Sequence, residues 1–512
     1  MLILVPFLLM MITALALVVL RVTQPEARYA WLAAASGGML AFISVFVWLA
    51  QMPMDLMFAI WRPQNIFQTP IFFRADGVSW APAIAIAALT MSVLMTAVTR
   101  PVFRTSLAWA GTLSLGGLGI LAVTANNPLT LLLIWALIDL TELLTQIRSV
   151  QGEKNSERVV ISFSTRAFGI MLLLWSSIES LAGGGILTFE TMPDNTDIYL
   201  VIAAGLRLGA LPLHLPYSAD SSLRRGFGTA LRLIGGISTL SVLERVAIRE
   251  TPFTPVLIIL ITAAALYGGW MWLRAPDELN GRPYWMIGMA SLSVLAALLG
   301  NPVGSVAWAC ALALVGGALF LSSVQISGLS HALLIGAWSL SSLPFSLTAS
   351  AWLGSFSFIT PFGVAAQALL AAGFIRHGLR TNNAESLDDQ PGWAKAVYPA
   401  GIIVLLVTQI LLGWIGWDGA FKIGTILPAI SASILTVGLV WATRRFRIFN
   451  PVRAHWVTSA GINRLYQGLW SLYRGLARLG LGITQALEGE GGIMWTLLFL
   501  ALFISIVAQG IQ

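Results

Sequence analysis

The chain has 512 residues, 57% of them hydrophobic and only 10% charged, with a formal net charge of +7. Soluble domains carry about 25% charged residues, so this composition excludes an ordinary soluble enzyme and indicates a polytopic membrane protein. The positive charge is scattered over short loops with no basic patch or aromatic platform, which excludes a nucleic-acid-binding surface.

A span needs roughly 20 apolar residues, and the apolar runs predict about 14–16 transmembrane helices in an all-α protein. The run 1–20 has no basic leader and reads as the first span rather than a removed signal peptide. A second span covers about 29–50, and a long loop then carries Trp61-Arg62-Pro63 and Ala75-Asp76-Gly77-Val78. Spans three to six fall near 78–98, 107–124, 129–147 and 159–181.

The seventh span begins near 199 and contains GLRLGALPLHLP, residues 205–216. Arg207 lies inside it, Pro212 and Pro216 remove backbone donors, and His214 stands between the prolines. An ionisable group within a span is costly and marks a functional candidate. A neighbouring proline gives a broken helix of the kind that builds transporter sites.

Further spans are predicted near 227–248, 255–272, 284–299, 303–324, 329–348, 360–375, 396–412, 424–441 and 492–508. The span near 329–348 carries Leu343-Pro344, a second break that echoes the first. Matching breaks suggest two inverted five-helix repeats. The expected organisation is spans one to three over 1–104, a first repeat over 105–250 and a second over 251–380. Two more spans follow over 381–450, then a tail over 451–512.

In that tail Arg453, Arg464, Gln467, Ser471, Arg474 and Arg478 share one helical face. Trp456, Leu465, Leu469 and Leu472 lie on the rest, predicting an amphipathic helix in the lipid interface with arginines toward anionic headgroups. Basic residues cluster after odd spans. By the positive-inside rule this places the N-terminus outside, in an integral multi-pass protein of a prokaryotic inner (plasma) membrane.

Charges predicted inside the bilayer concentrate in the first repeat: Asp139, Glu142, Arg166, Glu179, Arg207, His214, Arg232 and Glu244. Asp139 and Glu142 are three apart on one helix, and either can neutralise Arg207; Asp139 is the favoured partner. Asp139, Glu142, Arg166, Arg207, His214 and Arg232 are thus candidates for a proton path or for a buried ion pair that only fixes packing. Arginine does not release its proton in proteins, so Arg207 is suited to holding charge rather than passing a proton. Lysine occurs only at 154, 395 and 422, all in loops. The lone Cys310 excludes an internal disulfide. His214, His331, His377 and His455 show no ligand spacing, so no metal site is expected, and no flavin, haem or iron–sulfur pattern points to a cofactor.

These motifs carry a family resemblance. Ala75-Asp76-Gly77-Val78-Ser79, Thr165-Arg166-Ala167-Phe168-Gly169, the stretch GLRLGALPLHLPYSAD (205–220), Ala230-Leu231-Arg232, Asp277–Tyr284 and LSSLPFS (340–346) resemble the antiporter-like membrane subunits of respiratory complex I. That family is shared with multisubunit cation/proton antiporters and membrane-bound hydrogenases. The resemblance implies a fourteen-helix core of two inverted repeats, proton translocation, and other membrane subunits as partners. It implies a glutamate–lysine pair on spans 5 and 7, a lysine or histidine on span 11, and a lysine or glutamate on span 12. This sequence has Trp135-Ala136 where the family has Trp-Glu, and Arg207 where it has lysine. The later lysine positions fall near Gly316 and Trp352. The implied function is a membrane-arm subunit of a complex I-like NADH:quinone oxidoreductase assembly with a degenerate proton path. A competent cation/proton antiporter subunit, and a partner in a bicarbonate-uptake or hydrogenase-like complex, are the alternatives.

Overall fold

The computed structural model describes residues 1–24, 30–61, 69–99, 106–149, 153–182, 187–193, 196–217, 225–246, 253–323, 327–354, 357–380, 390–446 and 471. All but Ser471 belong to one compact unit, Met1–Val452. The tail face of Arg453, Arg464, Arg474 and Arg478, and the final span, lie outside the described residues.

Helices dominate. In chain order they are α1 (Val5–Thr23), α2 (Ala30–Val47), α3 (Gly77–Thr96), α4 (Ser106–Thr124), α5 (Pro128–Ser149), α6 (Glu153–Ala182), α7 (Asp197–Arg207) and α8 (Phe227–Leu240). The second half holds α9 (Thr254–Leu273), α10 (Glu278–Leu298), α11 (Pro302–Leu321), α12 (Ser327–Ala332), α13 (Leu334–Ser339), α14 (Thr360–Gly378), α15 (Gly392–Ile415) and α16 (Ile426–Arg445). Ten helical stretches among the described residues are long and apolar enough to cross a membrane. The protein is therefore an all-α, multi-pass integral membrane protein.

Helices α3 and α11 are the axis. Window burial reaches 89% for the stretch containing α3 and 94% for α11, against 17% for α16. Composition explains the difference. Lipid tails are as apolar as leucine, so close packing rather than hydrophobicity selects the inner helices. Helix α3 is rich in alanine, serine and threonine and lies against α2, α4, α11 and α15. Likewise α9 and α10 approach backbone to backbone: a Cβ on Gly268 would stand 2.6 Å from the Gly288 nitrogen. By contrast Ile426, Leu427, Ile434 and Val437 of α16 point outward.

Where the sequence predicts a loop after the second span, the structure has an antiparallel hairpin, β1 (Met54–Trp61) and β2 (Thr69–Ala75). Asn127 ties it to the start of α5: its side chain donates to the Pro70 carbonyl (2.8 Å) and caps α5 by accepting from the Thr130 amide (2.7 Å). The predicted single span at 329–348 is two short helices, α12 and α13, followed by turns containing Pro344. Backbone strain shows there, with Ser342 and Phe345 both at positive φ.

Asp76 caps α3 through a capping box with Ser79, and Arg245 reaches it with two donors at 3.2 and 3.4 Å. Burial alone would raise the Asp76 carboxyl. Arg245, the Ser79 amide and hydroxyl, and Arg74 outweigh that and hold it below the usual carboxylate range. A depressed folded value contributes stability above the unfolded value, about 3.9, and loses it as pH falls through the folded value. Asp76→Asn keeps a capping side chain but removes the charge facing Arg245, and is expected to cost about 1 kcal/mol at neutral pH. The gap to wild type should begin to narrow only below about pH 4 and close as pH falls through the lower, folded value. Thermal midpoints of both proteins against pH check this; a gap that persists at low pH refutes the charge assignment.

A buried arginine–carboxylate chamber

Helix α5 builds the site because of spacing. Trp135, Asp139, Glu142 and Gln146 follow one another at four, three and four residues, which stacks them on one face. All four are buried, at 3% exposure or less. The opposite face carries Leu133, Leu137, Leu140, Leu144 and Ile147, all exposed. Helix α6 repeats the pattern, burying Ser162, Arg166 and Leu173 while Phe168, Met171 and Trp175 face out. Helix α8 offers Arg232, Gly235, Gly236 and Thr239.

Arg207 is the last residue of α7. Its guanidinium donates both Nη groups to Asp139, at 2.6 and 2.8 Å, in a bidentate fork. Nε donates to Thr239 Oγ1 at 3.2 Å, and Nη1 also reaches the Arg166 carbonyl at 3.3 Å. The Trp135 ring lies 4.2 Å from the guanidinium carbon. Gly169 of α6 makes room for the Arg207 stem, since a Cβ there would meet Cγ at 2.8 Å. Arg207 is 4% exposed.

Glu142 serves two arginines. Arg166 Nη1 contacts Oε2, and Arg232 Nη1 donates to Oε1. Gln146 Nε2 donates to the same Oε1 at 2.5 Å. Arg232 also stacks 3.8 Å from the Tyr217 ring. Arg166 reaches toward Asp139 with Nε at 3.8 Å, beyond hydrogen-bond distance. Asp139, Glu142, Arg166, Arg207, Arg232, Tyr217 and Thr239 line a cavity of about 30 Å³.

The chain leaves α7 by a tight turn. Gly209 takes φ +72°, and Gly205 O accepts from the amides of Ala210 (2.8 Å) and Leu211 (3.1 Å). The Leu211–Pro212 bond is cis. Helix α7 therefore stops at Arg207 and does not resume by Tyr217. His214 is buried, and its Nδ1 bonds the Pro212 carbonyl at 2.8 Å. It is absent from the cavity lining, so the structure does not join it to Asp139 and Glu142. Pro344 sits in the other break, also outside that lining.

Thus the structure brings Asp139, Glu142, Arg166, Arg207 and Arg232 together and leaves His214, Pro212 and Pro344 apart. Sequence reading overlooked Trp135, Gln146, Tyr217 and Thr239. The first two carry a signal, the α5 spacing; Thr239 has the weaker signal of lying seven residues beyond Arg232.

The second half is different. No aspartate, glutamate, lysine, arginine or histidine occurs in α11. Those in α14 are Arg376 and His377 in the last turn, and α15 has Lys395 near its start. Apart from Arg282 of α10, which donates to Thr229 (3.2 Å), its buried network is built of neutral groups: Ser339 donates to Gln409 (2.9 Å), Trp352 to Gln367 (2.7 Å), and Gln367 to the Leu340 carbonyl (2.7 Å). Gly316, where the resemblance implies a lysine, faces the Trp285 indole, with a built Cβ 2.5 Å from Nε1.

No protein-family model and no curated protein matches this chain. Solved structures do. A chain in the structure of the Mrp complex from Dietzia sp. DQ12-45-1b superposes with a TM-score of 0.72 at 15% identity, over 100% of this chain and 63% of that one. This chain therefore spans less than two thirds of that protein. A chain of the membrane-bound sulfane sulfur reductase, an archaeal respiratory membrane complex, gives 0.67 at 13% identity, over 98% and 99%. A chain of respiratory complex I from Thermus thermophilus gives 0.64 at 16%, over 86% and 99%. The chain shares its fold with these three membrane-complex subunits.

Proposed function

We propose that this protein is a membrane subunit of a larger respiratory or antiporter-type assembly, in which the antiporter-like fold is kept and the proton path is not. The observation that supports this reading is the chemistry of the buried groups. Every cation set against a carboxylate in the chamber is an arginine, which cannot give up its proton. Beyond it, α11 offers no side chain that exchanges protons near neutral pH. Asp139, Glu142, Arg166, Arg207 and Arg232 then serve as a fixed electrostatic clamp joining α5, α6, α7 and α8. A complex I-like NADH:quinone oxidoreductase is the assembly this reading favours. The outward apolar faces of α1 and α16 suit neighbouring subunits or lipid, and the arginine face of the tail suits anionic lipid. Such a subunit sits in a prokaryotic inner membrane with its N-terminus outside.

Purified chain reconstituted alone into vesicles is expected to show no proton or sodium flux above protein-free vesicles under an imposed gradient. Uncoupler-sensitive antiport, abolished by Asp139→Asn, overturns this and favours the second reading, a competent antiporter subunit. That reading draws on the superposition of the entire chain with part of an Mrp complex chain. Identifying the proteins that co-purify in mild detergent names the assembly.

A further inference from the structure

We infer that the arginine chamber binds one small monovalent inorganic anion of the chloride type. Three guanidinium groups, Arg166, Arg207 and Arg232, converge there on two carboxylates, Asp139 and Glu142. With all five ionised, these groups carry one net positive charge, and the buried Arg282, 5.9 Å from the Tyr217 ring on which Arg232 stacks, adds further positive charge beside them. Each of the five is at least nine-tenths buried. An uncompensated buried charge is strongly unfavourable, and an arginine does not relieve it by losing a proton.

The hydrogen bonds assign where compensation is missing. Arg207 is well provided for by Asp139, Thr239 and the Arg166 carbonyl. Arg232 has Glu142 and the Tyr217 ring. Arg166 differs: among the described residues its Nε and Nη2 have no hydrogen-bond acceptor, although its side chain is 9% exposed. Arg166 also lines the cavity, whose volume of about 30 Å³ has room for one water-sized or halide-sized occupant. A halide-sized anion there would accept from Arg166 and offset the excess positive charge. This inference stands apart from the question of transport, since a fixed structural anion and a mobile one satisfy the same chemistry.

The experiment uses the full chain purified in detergent. Equilibrium binding of radioactive chloride is expected to saturate near one per chain. Thermal unfolding in potassium chloride should lie about 2 °C or more above potassium gluconate at equal ionic strength, with a saturable dependence. Thr239→Asp adds a third carboxylate to the lining beside Arg207 without deleting any charge. It should abolish both the bound chloride and the chloride-specific shift. Arg166→Gln removes the unsatisfied donors and should do the same. Absence of stoichiometric chloride binding by the wild-type chain overturns the inference, whatever the variants do. So does retention of binding in either folded variant, which would place the ion elsewhere.

Discussion

Replacing Asp139 with alanine is expected to lower stability by about 3–5 kcal/mol. The change leaves three buried guanidinium groups facing the single carboxylate of Glu142. Arg207 loses both arms of its fork, at 2.6 and 2.8 Å, and keeps only neutral acceptors. Such a penalty reflects the stranded charge more than the worth of the pair, so removing both partners should recover most of it. Asp139→Leu combined with Arg207→Met is therefore expected to unfold within a few degrees of wild type, while either single variant unfolds much earlier. Thermal midpoints of the four proteins in one detergent form the cycle. If the chamber is a clamp, the doubly substituted chain also still co-purifies with its partner subunits. A double variant no better than the singles would show that the ion pair does more than balance itself.

The physical reasons that made parts of this site readable are local. Four residues at spacings of four, three and four define a face whatever surrounds the helix, so the α5 stripe is present in the sequence. Arg207 demands a counter-ion by the cost of its burial, and the fifth span offers two acids, Asp139 and Glu142. What spacing does not hold is the division of labour. Glu142 answers both Arg166 and Arg232 because α6 and α8 converge on α5, and no periodicity encodes convergence. His214 looked eligible for a relay because it is titratable and close to Arg207 in sequence. The turn after α7 instead directs its Nδ1 to the Pro212 carbonyl. The hairpin β1–β2 escaped notice because Met54–Trp61 is apolar without strict alternation, and its partner strand contains Pro70. Arg245, which falls inside the predicted span 227–248, is explained by a contact far away in sequence, the cap Asp76.

Gly209→Ala should destabilise by about 3 kcal/mol or more, because two separate penalties meet at that residue. The first is conformational. Gly209 has φ +72°, a left-handed geometry that costs an L-residue about 1–2 kcal/mol. The second is steric. A Cβ at 209 would lie 2.2 Å from the His214 carbonyl oxygen, which belongs to backbone and cannot swing aside. The His214 amide also donates to the Gly209 carbonyl at 3.0 Å, so moving apart breaks the turn. Gly300 separates the two penalties. It has nearly the same backbone, φ +74°, yet a Cβ there meets nothing within 4 Å. Gly300→Ala should therefore show the conformational loss alone, about 1 kcal/mol. Thermal midpoints of the two variants make the comparison. Equal losses would mean that the turn after α7 yields without effort, and the seat of Arg207 would then not be rigid. A much larger loss at 209 would locate the stiffness of the chamber in the backbone turn that ends α7.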